Sequence, residues 1–324
     1  MDILLVGLGR WGEKHLRVLG DIGATVWVAE VSAERRQWAV AHGADAGRVV
    51  EDYRAALDRV QAVDVVTPAD SHLAIAEACL RAGKHCFIEK PLTRTAAEGR
   101  RLAAIARETG RVVQVGHIFR FHPVTAVMQQ ALDAGSIGAV RYATGRFAGF
   151  KRPRTDVGVF HTDGIHYVDL FRHLLRRDPT GVAALQRDFL GRGLDDFSVV
   201  MVDYGDVPAV IEANYFVPGT YRDCVIAGAR GTLVADYGAG TVTLHSREHR
   251  RRGAAWEAVD AGKEELPTGS REPLRLELEA FRDACVGRHA PLVTVDDGVL
   301  TLEVVEAAAR AAQLGRVVSL TEVR

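Results

Sequence analysis

Gly7-Leu8-Gly9-Arg10-Trp11-Gly12 lies between a short apolar run at residues 3–6 and a helical stretch at 12–19. Few sequence features narrow a fold as far. A first glycine permits the tight turn that ends a strand. A second lets another group approach the backbone, and a third lets the new helix pack closely on the strand. The pattern that follows agrees with that start. Residues 25–29, 63–67, 85–88 and 112–115 are short, β-branched and nearly continuous in apolar character, as parallel strands buried on both faces must be. Between them, 33–42, 71–82 and 96–109 have helical periodicity. This alternation predicts a doubly wound parallel sheet.

The style changes near residue 139. From Ser198 onward, strand candidates at 199–204, 209–215, 224–227, 232–237 and 241–245 follow one another across turns such as Gly205-Asp206. That spacing predicts an antiparallel meander. Two helices close the chain. One has Leu274, Leu278, Phe281 and Cys285 on one face, and the other Leu302, Val305, Ala309 and Ala312. The expected fold class is therefore an α/β Rossmann domain over 1–121, then an α+β domain over 122–324 with an open, mainly antiparallel sheet. Such a sheet needs a cover, and a second copy in a homodimer or homotetramer is the expected one. The stretch from Arg247 to Gly253 is expected to be a solvated basic loop.

A net charge of -1 excludes a general basic field, so nucleic acid is not an expected partner. No run approaches the roughly 20 apolar residues of a membrane span, and no amino-terminal leader is legible. Four scattered cysteines, Cys79, Cys86, Cys224 and Cys285, suit neither a zinc knuckle nor a disulfide framework. A cytoplasmic protein without metal is expected.

The glycine motif aims helix N-terminal amides at a pyrophosphate. Gly7, Gly9, Arg10, Trp11 and Gly12 form the first part of a dinucleotide site. Glu30 ends the second strand about 20 residues on, where a carboxylate accepts bonds from ribose hydroxyls and repels a 2′-phosphate. NAD is expected over NADP, although Arg35 and Arg36 lie close by and one could swing toward a phosphate. Thr67 and Pro68, with His72 just after them, lie beyond the third strand, where ligands of such sheets bind.

Further motifs give the chain its resemblance. Ala82-Gly83-Lys84-His85 leads into Glu89-Lys90-Pro91. Val115-Gly116-His117 precedes Arg120-Phe121-His122-Pro123, and Gly164-Ile165-His166-Tyr167-Val168-Asp169-Leu170 follows. With the glycine motif and Thr67-Pro68, these segments resemble the glucose-fructose oxidoreductase / inositol dehydrogenase / MocA family. Gly228-Ala229-Arg230-Gly231-Thr232-Leu233 and the last helix fit more loosely. The resemblance implies an NAD(P)-dependent dehydrogenase or reductase acting on a secondary hydroxyl of a sugar, sugar nucleotide or cyclitol. It implies Lys90 as proton donor and acceptor beside the nicotinamide, with Glu89 setting its orientation and His166 assisting.

One departure stands out. The family places an aspartate four residues before this histidine, and here that position holds Thr162. Asp163 is adjacent, and either reaches His166 or caps the helix expected over 162–175. Thr162 can bind a hydroxyl but cannot act as a base. Arg120, Arg154, Thr162 and His166 are the candidate substrate contacts. The run Lys151-Arg152-Pro153-Arg154 either meets an anionic group on the substrate or is simply solvated. Two other functions stay open: redox-neutral, NAD-assisted glycoside cleavage or elimination, and a dinucleotide sensor without catalysis.

Overall fold

The computed structural model describes residues 1–324. These form two compact units, one of residues 1–118 with 272–302 and the other of 119–271 with 303–324.

In the first unit the chain runs β1 (Asp2–Val6), α1 (Arg10–Asp21), β2 (Thr25–Ala29), α2 (Ala33–Ala41), β3 (Val49–Val50), β4 (Ala62–Val65), α3 (Ala69–Arg81), β5 (His85–Glu89), α4 (Ala96–Thr109) and β6 (Val113–Gly116). The strands are all parallel, in the order β3-β2-β1-β4-β5-β6. Strand order reverses at β1, between β2 and β4. A crevice forms there at the carboxyl ends of the strands. Caps set several helix starts: Ser32 accepts from Arg35 N, and Thr95 and Glu98 form a reciprocal capping box on α4.

The expected boundary at 121/122 assigned everything after it to the second domain. The contacts instead return residues 272–302 to the first unit. The reason is packing. Leu274, Leu278 and Phe281 are buried in the same cluster as Leu5, Leu8, Leu19 and Phe87, and the rings of Phe281 and Phe87 meet edge-on. Burying such a side chain contributes about 1.5–3 kcal/mol, so three of them hold the returning segment firmly.

The second unit contains α5 (Pro123–Asp133), β7 (Val140–Gly149), a π-helical turn (Phe160–Gly164), α6 (Ile165–Leu175), β8 (Gly181–Arg187), β9 (Phe197–Asp203), β10 (Pro208–Asn214), β11 (Thr220–Gly228), β12 (Thr232–Asp236), β13 (Thr241–Arg252) and β14 (Ala255–Leu266). The helix α7 (Pro273–Cys285) is the segment returned to the first unit. The division falls within α8 (Val295–Leu314), and β15 (Val318–Ser319) closes the second sheet. The order of that sheet is β14-β13-β12-β11-β7-β10-β9-β8-β15.

The sheet is not the simple meander expected. β7 inserts between β10 and β11, and its pairing with β10 is parallel. Adjacent segments in the sequence are therefore two separate meanders joined through a strand from much earlier. The stretch 247–253 is also not a loop. Most of it belongs to the β13–β14 hairpin, where Arg247 pairs with Asp260 and Arg252 with Glu257 across the strands. On α8 the expected Leu302 is buried and Val305 packs against the core, but Val304, Ala307, Ala308 and Ala311 are buried as well, while Ala309 is exposed.

Strand alternation sorts the second sheet into two faces. Val182, Val202, Ala209, Ala143, Ile226 and Leu233 are successive partners across it, and all are buried. Tyr167 of α6 packs against this face at Gly145, where an added Cβ would lie 2.3 Å from its ring. The Tyr167 hydroxyl also donates to Arg146 O at 3.0 Å.

Candidate active site

The glycine turn sits at the carboxyl end of β1. Gly7 has φ +95, in the region glycine favours, and a Cβ there would meet Val66 O at 2.7 Å. A Cβ on Gly12 would lie 2.2 Å from Gly7 O, so only glycine lets α1 begin so close to the strand. Gly9 differs. It is the N-cap of α1 with no side-chain cap bond, and a Cβ there would point into open space. The first-turn amides of α1 thus face a space that a phosphate can fill. Beside it is a cleft of 660 Å³, whose lining includes Gly7, Gly9, Glu30, Thr67, Pro68 and Ser71. Its volume and donors suit a dinucleotide.

Glu30 borders this cleft. Its carboxylate accepts from Leu8 N at 2.7 Å and Ser32 N at 2.9 Å, which fixes its direction. Both nearby arginines are engaged elsewhere. Arg35 donates to Leu8 O at 2.9 Å and pairs with Glu13, and Arg36 donates to Glu30 O at 2.7 Å and Val31 O at 2.8 Å. Arg10 is exposed at the start of α1.

Glu89 ends β5, and Lys90 and Pro91 follow in a turn with a cis Lys90–Pro91 bond. The Glu89 carboxylate accepts from the Trp11 indole at 2.7 Å and from Lys90 N at 3.0 Å. Trp11, from inside the glycine motif, thereby holds the Glu-Lys-Pro turn. Burial favours the protonated Glu89, but His15, Trp11 and Lys90 outweigh it and keep the carboxyl below its usual range. His72 is buried, with Nδ1 3.0 Å from Pro91 O and Nε2 2.8 Å from Thr67 O. It is a brace between α3 and the Lys90 turn. Burial lowers its pKa.

In the second unit, α6 is shorter than expected. Residues 160–164 form a π-turn, and the α-helix begins only at Ile165. Such turns recur at functional sites. Asp195 anchors this one by accepting from Phe160 N at 2.9 Å and Ser198 Oγ at 2.7 Å. The buried His166 ring stacks against Phe119 and Phe147, with centroids 4.8 Å and 5.4 Å away. Asp163 is buried, and its carboxylate lies 2.7 Å from Lys151 Nζ. Thr162 is buried too. Its hydroxyl lies 3.2 Å from Gly158 O, Val159 O and the Tyr215 hydroxyl.

Arg120 is placed differently from the expectation. Its guanidinium forks onto Asp169, Nε to Oδ2 at 2.8 Å and Nη2 to Oδ1 at 2.6 Å, and both side chains are nearly enclosed. Arg120 therefore anchors α6 rather than reaching toward a substrate. Arg154 is exposed and pairs with Asp156, which holds that carboxyl below its usual range. Lys90 belongs to the first unit and His166 to the second.

Sequence reasoning missed His15, Asp64, Asp195, Phe119 and Phe147. A charged residue inside the apolar run Val63-Asp64-Val65 was the one legible signal. The rest depend on strand order. No group of His, Cys, Asp or Glu is placed to hold a metal, and no helix is long and apolar enough to cross a membrane.

Comparison with known proteins agrees with this geometry. Residues 1–117 match the model of the oxidoreductase family with an NAD-binding Rossmann fold, and 125–234 match the GFO/IDH/MocA C-terminal domain. The chain belongs to the GFO/IDH/MocA oxidoreductase family. Its relatives there include the UDP-N-acetylglucosamine 3-dehydrogenase of Acidithiobacillus ferrooxidans, 30% identical over 94% of each chain. Inositol 2-dehydrogenase 1 of Saccharopolyspora erythraea is 32% identical, over 96% of this chain and 94% of that one. The solved structure of the Acidithiobacillus enzyme superposes with a TM-score of 0.84 at 26% identity, covering 97% of this chain and 98% of that one.

Proposed function

We propose that this oxidoreductase moves a hydride between NAD and a secondary hydroxyl of a sugar, sugar nucleotide or cyclitol. The observation that carries the reading is the Glu89-Lys90-Pro91 turn. It lies at a strand end in the same unit as the glycine turn and is tied to that turn by Trp11. Bound nicotinamide would supply the hydride acceptor or donor. Lys90 handles the hydroxyl proton. Its ammonium polarises a carbonyl in the reducing direction, and its neutral amine accepts the proton in the oxidising one. His166, packed in a cluster with Phe119 and Phe147, assists. Asp163 is paired with Lys151, and this reading gives the second proton role to His166 alone.

Glu30 supports NAD over NADP. It lines the cleft with its carboxylate fixed by two backbone amides, while Arg35 and Arg36 are held by backbone carbonyls and acidic partners. Lys151 and Arg154 are exposed before the π-turn and would meet a phosphate or carboxylate on the substrate by sharing or exchanging their partners Asp163 and Asp156. We assign the second unit to substrate binding and to assembly with a second copy. Supporting this, the row Ala183, Met201, Val210, Thr144, Val225, Val234, Thr243 crosses the open face of the sheet, and Met201, Val210 and Val234 are exposed.

The test is absorbance at about 340 nm, the reduced-nicotinamide band. Protein with NAD or NADP is offered sugar nucleotides, sugar phosphates, free sugars and inositols. A rise with one class and with NAD is expected. Silence across the set, with NAD still bound, would move the reading to redox-neutral chemistry.

A further inference from the structure

We propose that His15 is a positioning residue that holds Glu89, and through Glu89 the backbone of Lys90, by bridging two buried carboxylates from neighbouring strands. The proposal rests on the reading of Lys90 as the proton-handling group.

His15 lies on the inner face of α1 and is fully buried. Its Nδ1 is 2.8 Å from Asp64 Oδ2, and its Nε2 is 3.3 Å from Glu89 Oε1. Asp64 comes from β4 and Glu89 from β5, which are adjacent parallel strands. A neutral imidazole has one N–H. It could donate to one carboxylate but would turn a lone pair toward the other. The Nδ1 contact is a hydrogen bond and the Nε2 approach an ion-pair distance; with both carboxyls ionised, two ring nitrogens facing them call for the doubly protonated ring. Burial alone would lower the His15 pKa, but Asp64 and Glu89 raise it to about 10. The ring edge is closed by Trp11 and Phe87, both in edge-on contact.

The consequence for Lys90 follows from what Glu89 does. One carboxylate accepts from the Trp11 indole and from the Lys90 amide. The contact from His15 fixes which way that carboxylate faces. Without it, only Trp11 and the Lys90 amide hold Glu89, and its charge is left to act on the Lys90 ammonium alone.

Two substitutions separate positioning from mere packing. His15→Asn places its amide near Nδ1 and keeps the Asp64 contact while losing Glu89. His15→Gln places its amide near Nε2 and does the reverse. Each loses one contact to a buried carboxylate, so a packing role predicts the same effect from both. The readout is the pH dependence of Lys90 acetylation by acetic anhydride in the protein without cofactor, followed by mass spectrometry. This needs no substrate. Positioning predicts that Lys90 in His15→Asn reacts about threefold more slowly at pH 8, because Glu89 then favours its ammonium form, while His15→Gln stays close to wild type. Equal rates in both variants would overturn the proposal.

If neither variant folds, the wild-type protein decides. Imidazole nitrogen NMR, with the His15 ring identified by its contacts with Trp11 and Phe87, should show that ring doubly protonated at pH 8.5. A neutral His15 ring would overturn it. Slow labelling of the Asn variant in a protein that turns over no sugar would sink the dehydrogenase reading and leave the role of His15 intact.

Discussion

Replacing Arg120 by Met tests whether this residue anchors α6 or meets substrate. The Asp169 side chain is fully enclosed and that of Arg120 is 8% exposed. Two guanidinium nitrogens contact the two carboxylate oxygens at 2.6–3.0 Å. Methionine fills much of the volume of the arginine stem but leaves Asp169 as an uncompensated buried charge. Breaking such a pair from one side costs about 3–5 kcal/mol. With a urea slope of about 3 kcal/mol per molar, the unfolding midpoint should fall by roughly 1–1.7 M. Circular dichroism during urea titration reads this. The double variant Arg120→Met with Asp169→Leu removes both charges and should recover most of the loss, because an apolar pair of similar volume is often neutral or better. A midpoint within about 0.3 M of wild type for Arg120→Met alone would refute the reasoning. So would unchanged stability accompanied by a raised KM, since that is the signature of a substrate contact.

Other outcomes follow from the same geometry. Gly12→Ala drives a Cβ to within 2.2 Å of Gly7 O and should abolish NAD binding in calorimetry while Gly9→Ala, whose Cβ meets no protein atom, folds but excludes the phosphate. Glu30→Ala should weaken NAD binding about 10- to 100-fold, the worth of one charge-assisted hydrogen bond, and narrow the preference over NADP. His15 has a folded pKa raised from 6.5 to about 10, so its stabilisation is complete below 6.5 and is lost as pH rises through 10. Unfolding free energy should therefore fall more steeply between pH 8 and 10.5 in wild type than in His15→Gln. Met201→Lys with Val234→Glu should turn an oligomer into a monomer by mass photometry, and a wild-type protein that is already monomeric would remove the role assigned to the open face.

The nucleotide-binding half was legible because its strands are buried on both faces and its helices carry their own caps. β2 and α4 lie where periodicity puts them, and the glycine turn needs no distant partner. The second half hid more. β7 was invisible as the central joint of its sheet, since nothing local says that it pairs in parallel with a strand some sixty residues later. The β13–β14 hairpin reads as solvated because its order comes from cross-strand pairs of opposite charge, which no single-strand pattern reports. The π-turn before α6 depends on Asp195, a residue far along the chain that accepts from Phe160 N. At the site, the turn-forming glycines and Glu30 were legible from their own surroundings. Arg120 was misplaced because an arginine after a strand looks the same whether it faces a ligand or a buried aspartate. His15 required knowing that β4 and β5 are neighbours.

Lys90→Met tests the central claim most directly. NAD affinity by calorimetry and turnover of the sugar that gives the largest 340 nm signal are measured on both proteins. The account expects NAD to bind as in wild type while kcat falls about 100- to 10,000-fold, the contribution of an aligned acid-base group. Turnover that survives the substitution would contradict it.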